Sequence, residues 1–160
     1  GMHFDASGNL GIGTASPNAK LDVNGIIRNQ NPSWCLYKAS TSYNSGYLRW
    51  DTVKASAINC TMTASGGYYD RVTITVPGRY FIGFDSFGDP SQSGVGWQYD
   101  IRKNAIEQVR SYFNPPNNNY SAMGGLRVVL DLAVNDYIQI RSDYNVHHSG
   151  SSPFYGFLIG

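Results

Sequence analysis

Residues able to do bond-making chemistry are scarce in this chain of 160 residues, and their spacing points away from a catalytic centre. Glu107 is the only glutamate, so a glycosidase pair, two carboxylates roughly 5 to 10 Å apart, would have to come from Asp85, Asp89, Asp100 and Asp143. Turn and loop-capping roles account for most of these aspartates. A site shared between subunits is the one arrangement left open. The chain has no Gly-x-Ser-x-Gly elbow, no His-Glu-x-x-His and no phosphate-binding Gly-Lys-Ser/Thr. Gly11-Ile12-Gly13 lacks the later glycine and following helix of a dinucleotide fingerprint, so its work is turn-making. No catalytic residue is assigned, and the chain reads as a non-enzyme.

Two further groups could bind. His147 and His148 follow Asp143 in a polar stretch read as a loop. Three copies of one histidine could close a metal site on a threefold axis, whereas the bland reading is a solvated pair. The metal therefore stays unknown, and no other cofactor is expected. Cys35 and Cys60 are either a disulfide or two buried thiols. Buried thiols are the favoured reading, because free cysteine is among the most buried residue types. With no CxxC and no nearby histidine, zinc is not expected.

The aromatic residues carry the better functional case. Trp97, Tyr99, Tyr112, Tyr120 and Tyr144 lie in or beside loops, where ring planes pack on the apolar faces of sugars. Asn117, Asn118 and Asn119 could hydrogen-bond sugar hydroxyls. Each aromatic taken singly also reads as core or subunit interface, but as a group they form the candidate receptor surface.

The elements that must position these groups are strands. Glycine (18) and tyrosine (12) are plentiful, a composition that disfavours helices and suits a tightly turned β protein. From residue 33 onward, short alternating or dense apolar runs are bounded by Gly, Pro, Asn or Ser, the pattern of a sandwich or barrel. Nine runs, at residues 34–39, 46–50, 70–76, 79–87, 97–103, 105–113, 126–132, 137–143 and 153–159, are read as roughly eight strands. In 70–76, Val72, Ile74 and Val76 share one face. Pro77-Gly78 is a turn pair, Lys103-Asn104 turns one hairpin, and Val134-Asn135-Asp136 turns another. Residues 88–96 and 114–119 form long loops.

Two runs are apolar on both faces. Tyr80, Ile82 and Phe84 oppose Phe81 and Phe87, while Phe154 and Leu158 oppose Tyr155, Phe157 and Ile159. A sandwich strand normally has one wet side, so cover must come from another subunit or from a loop. The turn-punctuated start is equally short of an internal core for Ile12, Leu21, Val23, Ile26 and Ile27. These positions, with Phe81, Phe87, Tyr155 and Phe157, form the candidate trimer interface.

Formal net charge is +1 and charged residues are 14% of the chain, so neither nucleic acid nor an anionic membrane is an expected partner. No apolar run approaches the roughly 20 residues that span a bilayer, so no membrane insertion is expected. Gly1 ahead of Met2 is read as a tag remnant, with the rest cut from a longer protein.

The segment Gly11-Ile12-Gly13-Thr14, Pro17, Lys20-Leu21, Val23 and Gly25 resembles the GIGT-type connector of bacteriophage tail fibres and related trimeric surface proteins. A second, ordered set resembles the C1q domain. It comprises Tyr69-Asp70, Val76-Pro77-Gly78-Arg79-Tyr80-Phe81, Leu130-Asp131-Leu132, Asn135-Asp136 and Phe154-Tyr155-Gly156-Phe157-Leu158. Arg71-Val72-Thr73-Ile74 replaces the usual Thr-Gly-x-Phe, which fits a divergent branch. These resemblances imply residues 1–30 as a β connector and 31–160 as a C1q-like jelly-roll head of ten strands, all-β and homotrimeric. They imply a distal receptor-binding head of a phage tail fibre at the virion's tip, extracellular, attaching without chemistry to a host cell-surface receptor, a glycan in the first instance. The alternatives are a structural trimerisation or tip module and, behind it, a glycan depolymerase. Asn59-Cys60-Thr61 and Asn119-Tyr120-Ser121 would be glycosylation acceptors only in a secreted eukaryotic protein.

Overall fold

The computed structural model describes residues 1–27, 31–37, 42–88, 97–113, 123–148 and 152–160, which contain strands, turns and no helix. The chain divides into two compact units, Gly1–Gln30 and Asn31–Gly160.

The first unit is a three-stranded sheet. β1 (Met2–Phe4) pairs antiparallel with β2 (Leu10–Ile12), and β2 pairs parallel with β3 (Leu21–Val23). Its first turn is built on Asp5, whose carboxylate accepts from the Ser7 and Asn9 amides at 2.8 and 2.9 Å, and these bonds lower its pKa. Gly13 is obligatory, because its φ of +75° disfavours a side chain and an added Cβ would lie 2.8 Å from the Asn24 carbonyl. Strands of three residues cannot enclose a core. Leu21 is accordingly 55% exposed and Ile26 97%, with Met2, Phe4, Ile12 and Ile27 also open and Val23 half-buried.

The second unit is a two-layer sandwich. The first layer holds β4 (Ser33–Tyr37), β6 (Thr52–Ile58), β9 (Gly78–Gly88), β12 (Met123–Leu132) and β14 (Phe154–Leu158), in the order β12-β9-β14-β4-β6. The second holds β5 (Ser42–Tyr47), β7 (Cys60–Ser65), β8 (Tyr68–Ile74), β10 (Trp97–Lys103), β11 (Ile106–Phe113) and β13 (Tyr137–His148). Here β11, β10 and β13 are neighbours; β13 also pairs β5 and β8, and β8 pairs β7. Far along β13, Val146 and His147 pair with Gly88 and Phe87 of β9, which joins the layers.

Period two sorts the side chains. Tyr80, Ile82 and Phe84 of β9 meet Trp50, Tyr99, Ile101, Ile138 and Ile140 from the other layer in one buried core. Trp50 and Phe154 ring centroids lie 4.9 Å apart, and Phe84 and Tyr99 meet edge to face at 5.7 Å. Tyr80 can be buried because its hydroxyl donates to the Val76 carbonyl at 2.6 Å. Gly156 is needed for close approach: a Cβ there would enter the Trp34 ring.

The structure corrects several sequence expectations. Among the described residues eleven strands form the sandwich, two more than the nine runs read as roughly eight strands. The missed β6 and β7 are rich in Ala, Ser and Thr and carry little apolar signal, and their fold comes from pairing with β4 and β8. The run at 46–50 is displaced, since β5 ends at Tyr47 and Trp50 adds only a bridge to Tyr69. Val76 lies beyond β8, which ends at Ile74. The hairpin between β10 and β11 forms one residue later than expected, with Asn104 and Ala105 at φ 51° and 65°. Asn135 does turn the chain, at φ 71°, but the turn is no hairpin: it carries β12, paired to β9, across to β13 in the other layer.

Candidate functional site

The two outward faces of the sandwich differ in kind. On the first layer, cross-strand register places Val129 opposite Phe81 and Phe81 opposite Phe157. Phe81 lies 5.3 Å from Phe157 and 6.5 Å from Tyr155 between ring centroids. Tyr155 can lie across the sheet because its opposite number is Gly83, where a Cβ would strike its ring. Phe157 is 44% exposed, and Val129 and Ile159 are similarly open, so no described segment covers this apolar strip. Ion pairs bound it at either end. Arg127 meets Asp85 at 2.5 Å, and Arg79 holds Asp131 bidentately at 2.8 and 3.1 Å. Each arginine is raised in pKa by the hydrogen bond to its carboxylate, and Asp131 is lowered.

The outward face of the second layer is polar. Arg110 of β11, Asp100 of β10, Arg141 of β13 and Tyr47 of β5 stand in one cross-strand row. One step along each strand lie Tyr112 opposite Gln98, and in the other direction Arg102 opposite both Glu107 and Gln139. Asp100 is only 1% exposed. Arg102 grips it through Nε at 2.5 Å and Nη2 at 3.2 Å, and that hydrogen bond raises the Arg102 pKa. Arg110 and Arg141 flank the same carboxylate at 3.9 and 3.8 Å. At the rim, Arg110 pairs with Glu107, Arg141 meets Asp143 at 2.5 Å, and the Gln98 amide donates to Asp143.

Of the candidate receptor residues, Tyr112 is 64% exposed on this polar face. Tyr99 is a correction: it is fully buried against Phe84, on the core side of β10, and cannot serve as a ligand platform in this fold. Trp97 opens β10 opposite Phe113, and Tyr144 lies within β13, but their side chains fall outside the described structure, as does that of Phe87. Asn117, Asn118, Asn119, Tyr120 and Asp89 lie outside the described residues. His147 and His148 stand in strand β13, paired with Tyr43 and Ser42, rather than in a loop. Among the described residues no cluster of three or more His, Cys, Asp or Glu could hold a metal. Asp85 lies on the opposite layer from Asp100 and Asp143, and all three are engaged by arginines. Cys35 and Cys60 form no disulfide, and burial pushes the Cys60 thiol up to about 11.

Sequence reading missed Arg102, Arg110 and Arg141. The available signal was parity. Gln98, Asp100 and Arg102 alternate with Tyr99 and Ile101, so one side of β10 had to be wet and Tyr99 had to face inward with Ile101.

No family description and no curated protein matches the chain. Among solved structures, murine APRIL at pH 5.0 superposes with a TM-score of 0.64 at 9% identity, covering 81% of this chain and 99% of that one. The globular domain of zebrafish complement 1qA superposes with a TM-score of 0.61 at 17% identity, covering 81% and 98%. At these identities the likeness is one of fold: the chain carries an all-β, C1q- and TNF-like jelly roll.

Proposed function

We propose that the chain is the distal, non-catalytic attachment head of a phage tail fibre or similar trimeric surface appendage, working outside the cell at a virion's tip. The supporting observation is the apolar strip in which half-buried Phe81 and Tyr155 adjoin exposed Phe157, Val129 and Ile159, on one face of a jelly roll whose opposite face is charged. An apolar strip framed by ion pairs is what a protein–protein contact needs, and three copies packed about an axis would bury it. The exposed Ile12, Leu21 and Ile26 of the connector ask for the same partners, and the GIGT-type segment supports a fibre origin. Three shallow receptor sites on one rigid head, multiplied over several fibres, then give firm attachment through avidity.

Native mass spectrometry and light scattering test the assembly. Wild type should be a trimer, and Phe81→Ser with Phe157→Ser should dissociate it; a stable wild-type monomer refutes the reading. Whole-cell and glycan-array binding tests attachment. A trimer that binds no surface is a structural tip module, and reducing-sugar release from a bound polysaccharide would make it a depolymerase.

A further inference from the structure

We propose that the polar face centred on Asp100 is a binding site for an uncharged oligosaccharide. The inference rests on the attachment reading and deepens it by naming the place and the ligand class.

A sugar hydroxyl donates and accepts at once, so a site for it needs donors and acceptors side by side. This face alternates them within hydrogen-bond reach. Arg102 lies at 2.5 Å from Asp100, Arg141 at 2.5 Å from Asp143, and Arg110 is joined to Glu107. Guanidinium groups carry five donors each, and although Arg102 is committed to Asp100 and to the Ala105 carbonyl, Arg110 and Arg141 keep donors to meet a ligand. Arg110 and Arg141 stay partly exposed and touch the central carboxylate only at 3.9 and 3.8 Å, which leaves their remaining N–H groups for that purpose.

Charge decides the ligand class. Three arginines (102, 110 and 141) face three carboxylates (100, 107 and 143), so the cluster is neutral and offers an acidic polysaccharide no net attraction. The ion pairs also hold long side chains in place before a ligand arrives, which lowers the ordering cost of binding. Aromatic surface stands at both borders: Tyr112 on β11 and Tyr47 on β5 are exposed, ready to pack on the apolar face of a ring. From β11 to β5 is three strand spacings, about 14 Å, the span of a short oligosaccharide rather than one ring.

The test uses the full chain on an array of neutral and acidic oligosaccharides, with Arg110→Gln and Tyr112→Ala alongside wild type. Both substitutions are on the exposed surface, and unchanged thermal midpoints confirm that the fold is intact. Wild type should select neutral glycans and lose less than about two-fold in affinity between low and high salt. Each variant should lose about ten-fold or more. Selection of acidic glycans with steep salt dependence overturns the ligand class. Unaltered neutral-glycan binding by both variants overturns the location while leaving attachment standing. If wild type binds neither glycans nor cells, the attachment reading itself falls, and this inference with it.

Discussion

Replacing Asp100 by Ala removes a carboxylate on which three guanidiniums converge. Asp100 is 1% exposed and Arg102, its bidentate partner, has a side chain 17% exposed, so little water can take the carboxylate's place. Arg110 and Arg141, now near Arg102 without a counter-charge between them, add repulsion. Breaking a buried pair by removing one partner costs about 3–5 kcal/mol. That is a large part of the roughly 5–15 kcal/mol that holds a domain together. At about 2–4 °C per kcal/mol for a domain of this size, the midpoint should fall by roughly 6–20 °C. Thermal unfolding followed by circular dichroism measures the midpoint and urea unfolding the free energy, both at one protomer concentration because assembly would couple to folding. The double substitution Asp100→Leu with Arg102→Met should recover most of the loss, since a packed apolar pair needs no desolvation. A loss below about 1 kcal/mol for Asp100→Ala would refute the claim that this carboxylate organises the face.

Two other outcomes follow from local geometry. Ala105→Gly should raise stability by about 0.5–1 kcal/mol in the same unfolding assay, because Ala105 holds a φ of 65° that glycine adopts without strain; a loss of stability would show that the turn is not of this type. In a Cys35→Ser background, Cys60 should react slowly with a disulfide reagent at pH 8, since its thiol titrates near 11 rather than 9. Because the folded state binds that proton more tightly than the unfolded chain, the contribution is fully present below about pH 9 and is lost as pH rises to about 11. Removing the thiol by Cys60→Ser should flatten that part of the stability profile, and an unchanged profile would exclude the thiol as its source.

The sequence by itself determined the class of fold and most of its grain. Alternation in residues 79–87 separates Tyr80, Ile82 and Phe84 from Phe81, and the structure puts the first three in the core and leaves Phe81 on the outer strip, because side-chain direction along a strand is a local property. Of the two glycines read as turn-makers in the GIGT segment only Gly13 is one, at φ 75°, whereas Gly11 and Ile12 lie in strand β2, because ladder pairing with β1 and β3 overrides the local turn signal. Partner choice between strands was not legible. The strands β6 and β7 have weak patterns and exist because β4 and β8 offer them ladders, and the turn at Asn135 looks like a hairpin until its flanking strands are seen in different layers. The polar face was hidden more deeply still. Arg110, Asp100 and Arg141 become neighbours only once β11, β10 and β13 are set in register, and a single-residue slip in any one of them would turn its side chain away. Aromatic type suggested Tyr99 as a ligand platform, but burial against Phe84 fills the core with it and leaves Asp100, one residue on, to face outward. Residue type follows from the chain alone, whereas which groups stand together is decided by long-range pairing, since that is where charges from three separate strands first come within a few ångströms of each other.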